Sequence, residues 1–168
     1  DNRAQESVAI GVDVSNKYSP TNDPGNKQVS IGHTVNNTSK QNTIAIGNDV
    51  TAFSGVVIGQ SVSKSSYANG NHKAVVIGNS SSGNGTAIVI GSDISGGHDA
   101  IAIGKSGTNA SSFGAMAIGS NADASRNGMS IGISTSAGIS GVSIGKTNST
   151  STSGVAMGRD NSAALGTL

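Results

Sequence analysis

Large apolar residues recur along this chain in pairs, separated by one small residue and closed by a glycine. The tetrapeptide reads VAIG at 8–11, VSIG at 29–32, IAIG at 44–47, VVIG at 56–59, VVIG at 75–78 and IVIG at 88–91. It continues as IAIG at 101–104, MAIG at 116–119, MSIG at 129–132, VSIG at 142–145 and VAMG at 155–158, with a degraded copy at 163–166. The closing glycines are Gly11, Gly32, Gly47, Gly59, Gly78, Gly91, Gly104, Gly119, Gly132, Gly145 and Gly158, separated by 21, 15, 12, 19, 13, 13, 15, 13, 13 and 13 residues. A phased repeat of this kind marks a stacked architecture. The alternation within each copy has the period of a β-strand, and the glycine opens a conformation closed to other residues. About nine polar residues separate the copies, room for a turn, a second short strand and a return turn. Thirteen residues are too few for a strand and a helix, so the pattern predicts an all-β parallel solenoid of about eleven 13-residue coils, in one domain over 1–168.

Equivalent positions of successive coils then form ladders. The first and third positions are predicted to be the repeat core: Val8, Ile10, Ile44, Ile46, Val75, Ile77, Ile101, Ile103, Val142 and Ile144 stack as ribbons inside the roll. The second position, always Ala, Ser or Val, falls on the opposite face. It is never charged, whereas solvated strand faces usually carry Lys, Thr, Glu or Gln, so copies of the chain are expected to cover it. An interior one side chain thick is a weak core for so many ordered residues, which points the same way. The pattern asks for a homo-oligomer and leaves the copy number open.

Composition sharpens this picture. Gly (25), Ser (29), Asn (17) and Thr (12) make up about half of 168 residues, while Leu occurs twice and Glu once, which excludes a helical protein. Taken without order, such a composition reads as disordered; the phased repeat overturns that. Net charge is +1 with no run of either sign, so no basic stripe offers itself to nucleic acid. Without cysteine there is no disulfide framework and no thiolate metal site. No apolar run approaches the roughly 20 residues of a membrane span, and the segment is expected to make no membrane contact.

The repeats resemble the head of YadA-like trimeric autotransporter adhesins, whose motif is close to SVAIGxxSxAxG. Residues Ser7-Val8-Ala9-Ile10-Gly11 match it letter for letter, and 100–104, 115–119 and 141–145 are near matches. The GxxAxA tail also occurs, at 119–124. The resemblance spans 7–166. It implies a left-handed parallel β-roll, a homotrimer around a long axis, and a Gram-negative cell-surface protein anchored in the outer membrane by C-terminal regions this segment lacks. Heptads and a DAVNxxQL-like neck are missing before Leu168, so the segment is expected to be a head, or part of one, without signal peptide, neck, stalk or anchor.

Departures from the regular spacing are the informative places. The 21- and 19-residue intervals carry insertions within 17–27 and 64–73, which hold both prolines and both tyrosines. The two 15-residue intervals are expected to hold smaller insertions, around 36–40 and 107–112. An apolar anchor in the outer segment (Val14, Val35, Val50, Val62, Ile94, Ala122) is lost at Gly107, Thr135, Asn148 and Asn161, which predicts looser packing toward the C-terminus.

Chemistry-bearing residues are sparse. His72 and His98 both sit six residues before a coil glycine but two coils apart, too far for one metal ion; with His33 they read as solvated histidines. Phe53 and Phe113, at the same coil position, are expected to cap the roll interior. Asp13, Asp49, Asp93 and Asp160 follow coil glycines by two, a place for turn chemistry, and the denser nonapeptide of a calcium roll is missing. Gly104-Lys105-Ser106 and Gly145-Lys146-Thr147 end like a phosphate loop but lack its earlier glycine. No catalytic, cofactor or metal residue emerges, and a non-enzymatic role is expected. The resemblance implies an adhesin head that binds host matrix proteins or epithelial receptors. The candidate contacts are the insertion residues Tyr18, Pro20, Asn22, Asp23, Tyr67, Asn69 and His72. A non-binding spacer roll is the rival reading, and a β-helix acyltransferase a remote one, because its hexads repeat three to a coil.

Overall fold

A computed structural model describes residues 6–16, 27–38, 42–65 and 73–165. Every regular element among them is a strand, and all pair in parallel. Four long strands come first: β1 (Glu6–Asn16), β2 (Lys27–Asn37), β3 (Thr43–Ala52) and β4 (Gly55–Lys64). Thereafter each coil splits into a longer strand and a two-residue one. The longer set is β5 (Ala74–Asn79), β7 (Ile88–Ser92), β9 (Ile101–Lys105), β11 (Met116–Ser120), β13 (Met129–Ile133), β15 (Val142–Lys146) and β17 (Val155–Arg159). Alternating with them are β6 (Ser82–Gly83), β8 (Ser95–Gly96), β10 (Asn109–Ala110), β12 (Asp123–Ala124), β14 (Ser136–Ala137), β16 (Ser149–Thr150) and β18 (Ser162–Ala163). The tetrapeptides stack residue on residue: Val75 lies against Ile88, Val76 against Val89, Ile77 against Ile90 and Gly78 against Gly91, and so on along the molecule. Eleven tetrapeptide strands thus join through about ten turns of a parallel β-solenoid, the expected fold class with one turn fewer than the number of copies.

The two faces of the tetrapeptide are reversed relative to expectation. Second-position side chains fill the interior: Ser30, Ala45, Val57, Val76, Val89, Ala102, Ala117, Ser130 and Ser143 are wholly buried. The first- and third-position residues expected as core point away from it. Val8 is 47 %, Ile10 56 % and Ile44 40 % exposed, Ile77 is exposed too, and Ile46, Val75, Ile101, Ile103, Val142 and Ile144 are half-buried. The reason is thickness. Each coil closes on itself within 13 residues, and the gap between its two strands admits one small side chain from each.

Volume is matched across that gap. Gly83 faces Val76, and a Cβ added there would lie 2.6 Å from the Val76 Cγ2; Gly96 stands in the same relation to Val89. Where the second position shrinks to Ala102 or Ala117, the register partners of those glycines become Ala110 and Ala124. In the first coils the pair turns polar. Asn37 Nδ2 donates to Ser30 Oγ at 3.2 Å, Ser30 Oγ donates to Asn16 Oδ1 at 2.5 Å, and Asn16 Nδ2 donates to the Val8 carbonyl at 3.0 Å.

The closing glycine allows the coils to stack. At Gly59, with φ of +144°, a Cβ would fall 1.7 Å from the carbonyl oxygen of Gly78, so no other residue fits beneath the next coil. Two residues on, the chain turns through left-handed backbone at a polar residue in each coil, with φ of +53° at Asp13 and Asp49, +54° at Asp93 and +56° at Asp160. Asp, Asn and Ser tolerate that conformation because their side chains bond locally.

The lost apolar anchors do not loosen the C-terminal coils. In the coil after Gly104 the chain bulges by one residue, so the buried position passes from Gly107, which is exposed, to Thr108. The Thr108 hydroxyl lies 3.0 Å from both the Lys105 and the Gly119 carbonyl oxygens. Ser81 sits likewise between Asn79 and Gly91, at 2.8 and 3.0 Å. Asn148 donates to the carbonyls of Ile144 and Gly158 at 2.6 and 2.9 Å, and Thr135 Oγ1 meets Ser130 Oγ at 2.8 Å. Polar side chains here tie one coil to the next. Asn161, in the last described coil, is exposed.

Candidate functional site

Two surfaces stand out. One is the apolar face of the tetrapeptides. Because the register never slips, first and third positions of all eleven copies form two continuous Val/Ile/Met ladders on a single face. With strands ~4.8 Å apart the ladders run roughly 50 Å. Contiguous exposed apolar surface of that length marks an interaction site rather than ordinary solvated surface.

The other is a corner. In a regular coil four residues, such as 97–100, link the outer strand to the next tetrapeptide. The link lengthens in the irregular coils: 17–28 after Asn16, 38–43 after Asn37, 65–74 after Lys64 and 111–115 after Ala110. The strand ends that flank all four expansions therefore lie at the same turn, and the remaining extra residue is the bulge at Gly107. The expected contacts Tyr18, Pro20, Asn22, Asp23, Tyr67, Asn69 and His72 lie outside the described residues; the strand ends that flank them, Asn16 and Lys27, Lys64 and Ala74, lie at this corner.

In the coils from 85 to 152 the residue six before the coil glycine stands on this turn. His98, Phe113, Arg126 and Ile139 therefore follow one another as a column along the corner, joined by the His98–Phe113 ring contact and by hydrogen bonds from the Asn127, Ser140 and Ser153 amides to the Phe113, Arg126 and Ile139 carbonyls. Phe113 does not cap the interior, as had been expected; it is 47 % exposed, and Phe53 is half-buried. The buried place at this turn belongs instead to the small residue before the tetrapeptide, Ala74, Ala87, Ala100 or Ala115. His98 packs against Phe113 with ring centroids 4.5 Å apart at 34°, and its Nδ1 lies 2.8 Å from Asp99 Oδ2. Thr86 Oγ1 donates to the other oxygen of Asp99, which ties two coils together.

Lys64 lies beside the corner at an inward-facing position filled by Ala52 and Gly83 in the adjacent coils. It is 2 % exposed, and burial holds its amine below the ordinary lysine value. His33 Nδ1 is 3.0 Å from Thr34 Oγ1 on the exposed surface. Among the described residues no three His, Asp or Glu side chains converge as metal ligands.

Comparison of the chain with protein-family models, with curated proteins and with solved structures finds no match.

Proposed function

We infer that this chain is the head of a trimeric bacterial surface adhesin. Three left-handed rolls pack side by side through their Val/Ile faces, and the assembly attaches to host matrix proteins or epithelial receptors. Regions beyond this segment anchor it in the outer membrane. The observation that carries the reading is the pair of apolar ladders. They offer about 22 side chains per chain, the size of one side of a stable interface. A roll cannot bury them by itself, because its interior already holds the second-position residues. The rod would present each corner in three copies, so that weak contacts reinforce one another.

Adhesion is tested with this segment fused to a trimerising coiled coil and applied to immobilised matrix proteins and epithelial receptors. A matched variant has 17–26 and 66–72 shortened to regular turn length. Binding by the parent that fails in the shortened variant is the expected result. Binding that survives shortening moves the contact to the regular roll. A folded trimer that binds nothing leaves a spacer roll in place of an adhesin.

A further inference from the structure

Among the described residues, most exposed large apolar side chains belong to the tetrapeptide ladders. Phe113 and Ile139 do not: both stand on the corner column, 47 % and 42 % exposed, two coils apart. Arg126 lies on the coil between them, also exposed, and no carboxylate among the described residues pairs with it. An aromatic ring, a guanidinium and a branched aliphatic group therefore follow one another along the roll at steps of ~4.8 Å.

The structure presents this row deliberately. The turn bearing Phe113 is one residue longer than its neighbours, and Gly114 takes up left-handed backbone at φ +65°. From below, the ring is supported by His98. That imidazole lies over Gly85, where a Cβ would come within 2.5 Å of His98 Cδ2, and it is held laterally by Asp99, whose other oxygen accepts from Thr86 Oγ1. A rigidly placed, exposed aromatic ring loses little conformational entropy on binding. Phe and Arg are also enriched in protein interfaces relative to the rest of the surface.

We propose that the Phe113–Arg126–Ile139 row is a docking site for an acidic polypeptide segment in which a carboxylate is flanked by apolar side chains. The guanidinium takes the carboxylate in a two-pronged hydrogen bond, and Phe113 and Ile139 take the apolar neighbours on either side. A glycan fits less well, since Ile139 offers nothing to hydroxyl groups. This deepens the adhesin reading and rests on it for biological meaning, although the contact itself can be measured separately.

The probe is an array of synthetic peptides alternating Leu with Glu, Leu with Lys, or Leu with Ser, exposed to the wild-type chain and to Phe113→Ser, Arg126→Glu and Arg126→Lys. The expected result is retention on the Leu/Glu peptides only, at least tenfold weaker in Phe113→Ser and Arg126→Glu and only partly weakened in Arg126→Lys. Raising salt should weaken the wild type and should not weaken Arg126→Glu, whose repulsion from the acidic peptide it screens. Equal binding by all variants, or preference for Leu/Lys peptides, overturns the proposal. So does a change in the mass of the assembly in Phe113→Ser, which would make the row part of the contact between copies. Loss of cell attachment on deglycosylation, with protein receptors intact, would assign the row to a glycan instead. Attachment of the wild type to the matrix panel reads the adhesin proposal separately: attachment unchanged in the variants sinks the row alone, and no attachment at all sinks the adhesin reading while the array still judges the row.

Discussion

At the scale of single residues the roll is controlled by side chains that are small or missing. Gly59→Ala would drive a methyl into the Gly78 carbonyl and force a φ that L-residues rarely adopt. The loss of stability should be on the order of 4 kcal/mol or more, read as the midpoint of denaturant unfolding. Gly83→Ala meets a side chain instead of backbone, the Val76 Cγ2, and should cost about 1–3 kcal/mol by overpacking. Combining it with Val76→Ala restores the Ala/Ala pairing already present at Ala102 and Ala110. The double variant should therefore be more stable than the sum of the two single losses predicts. Additive losses would mean that the two positions do not share one space. The glycine's role was legible because it closes every copy. The direction of the strand was not. Alternation tells which residues share a face and leaves open which face is inside, and the ordinary expectation of large residues inward fails where the interior is one side chain thick.

At the scale of the coil, tolerance of polar residues in the interior follows from backbone carbonyls that need donors. Asn148→Ala removes the donors to Ile144 and Gly158 and the acceptor of the Asn161 amide, and leaves a cavity. A loss of about 1–3 kcal/mol is expected. Asn161→Ala, exposed in the last described coil, should change stability by under about 0.5 kcal/mol. Comparable losses at the two sites would discard the idea that the buried polar rung ties coils together. In sequence the change from Ile94 to Thr108 or Asn148 reads as a lost anchor, because hydrogen bonds to a neighbouring coil leave no periodic trace. Lys64 offers a test by pH. Burial lowers its folded-state value below the ordinary 10.5, so between that lowered value and 10.5 the unfolded chain binds more protons. Stability should rise with pH through that window, because deprotonation there relieves the buried charge, and the destabilising cost is fully present below it. Lys64→Met keeps the stem and removes the charge. It should be more stable than wild type at neutral pH and should lose the rise on the approach to pH 10.5 in thermal melts. A wild-type profile that is flat there would show that the amine stays solvated.

At the scale of the whole molecule, the two faces of the tetrapeptide divide the labour: small second positions close each coil, and large first and third positions remain for another surface. The sequence pattern placed self-association on the second-position face; in the proposed trimer the contact falls to the other one. The second-position face is consumed inside the roll, while the face left outside is the one rich in Ile and Val. Substituting Ile77, Ile90 and Ile103 by Asp should therefore leave the coil interior untouched and act only between chains. The wild-type chain is expected to have a light-scattering mass three times its 16.4 kDa, with a melting temperature that climbs with protein concentration. The triple variant should keep the strand signal in far-ultraviolet circular dichroism, run at the mass of one chain, and melt independently of concentration. Loss of the strand signal would show that the roll cannot stand without its partners, in which case the single change Ile90→Asp, at 39 % exposure, should shift the mass while preserving the fold. A wild-type chain that stays monomeric at high concentration, with its apolar ladders in water, would remove the ground for a trimeric rod and with it the multivalent display on which adhesion by weak corner contacts depends.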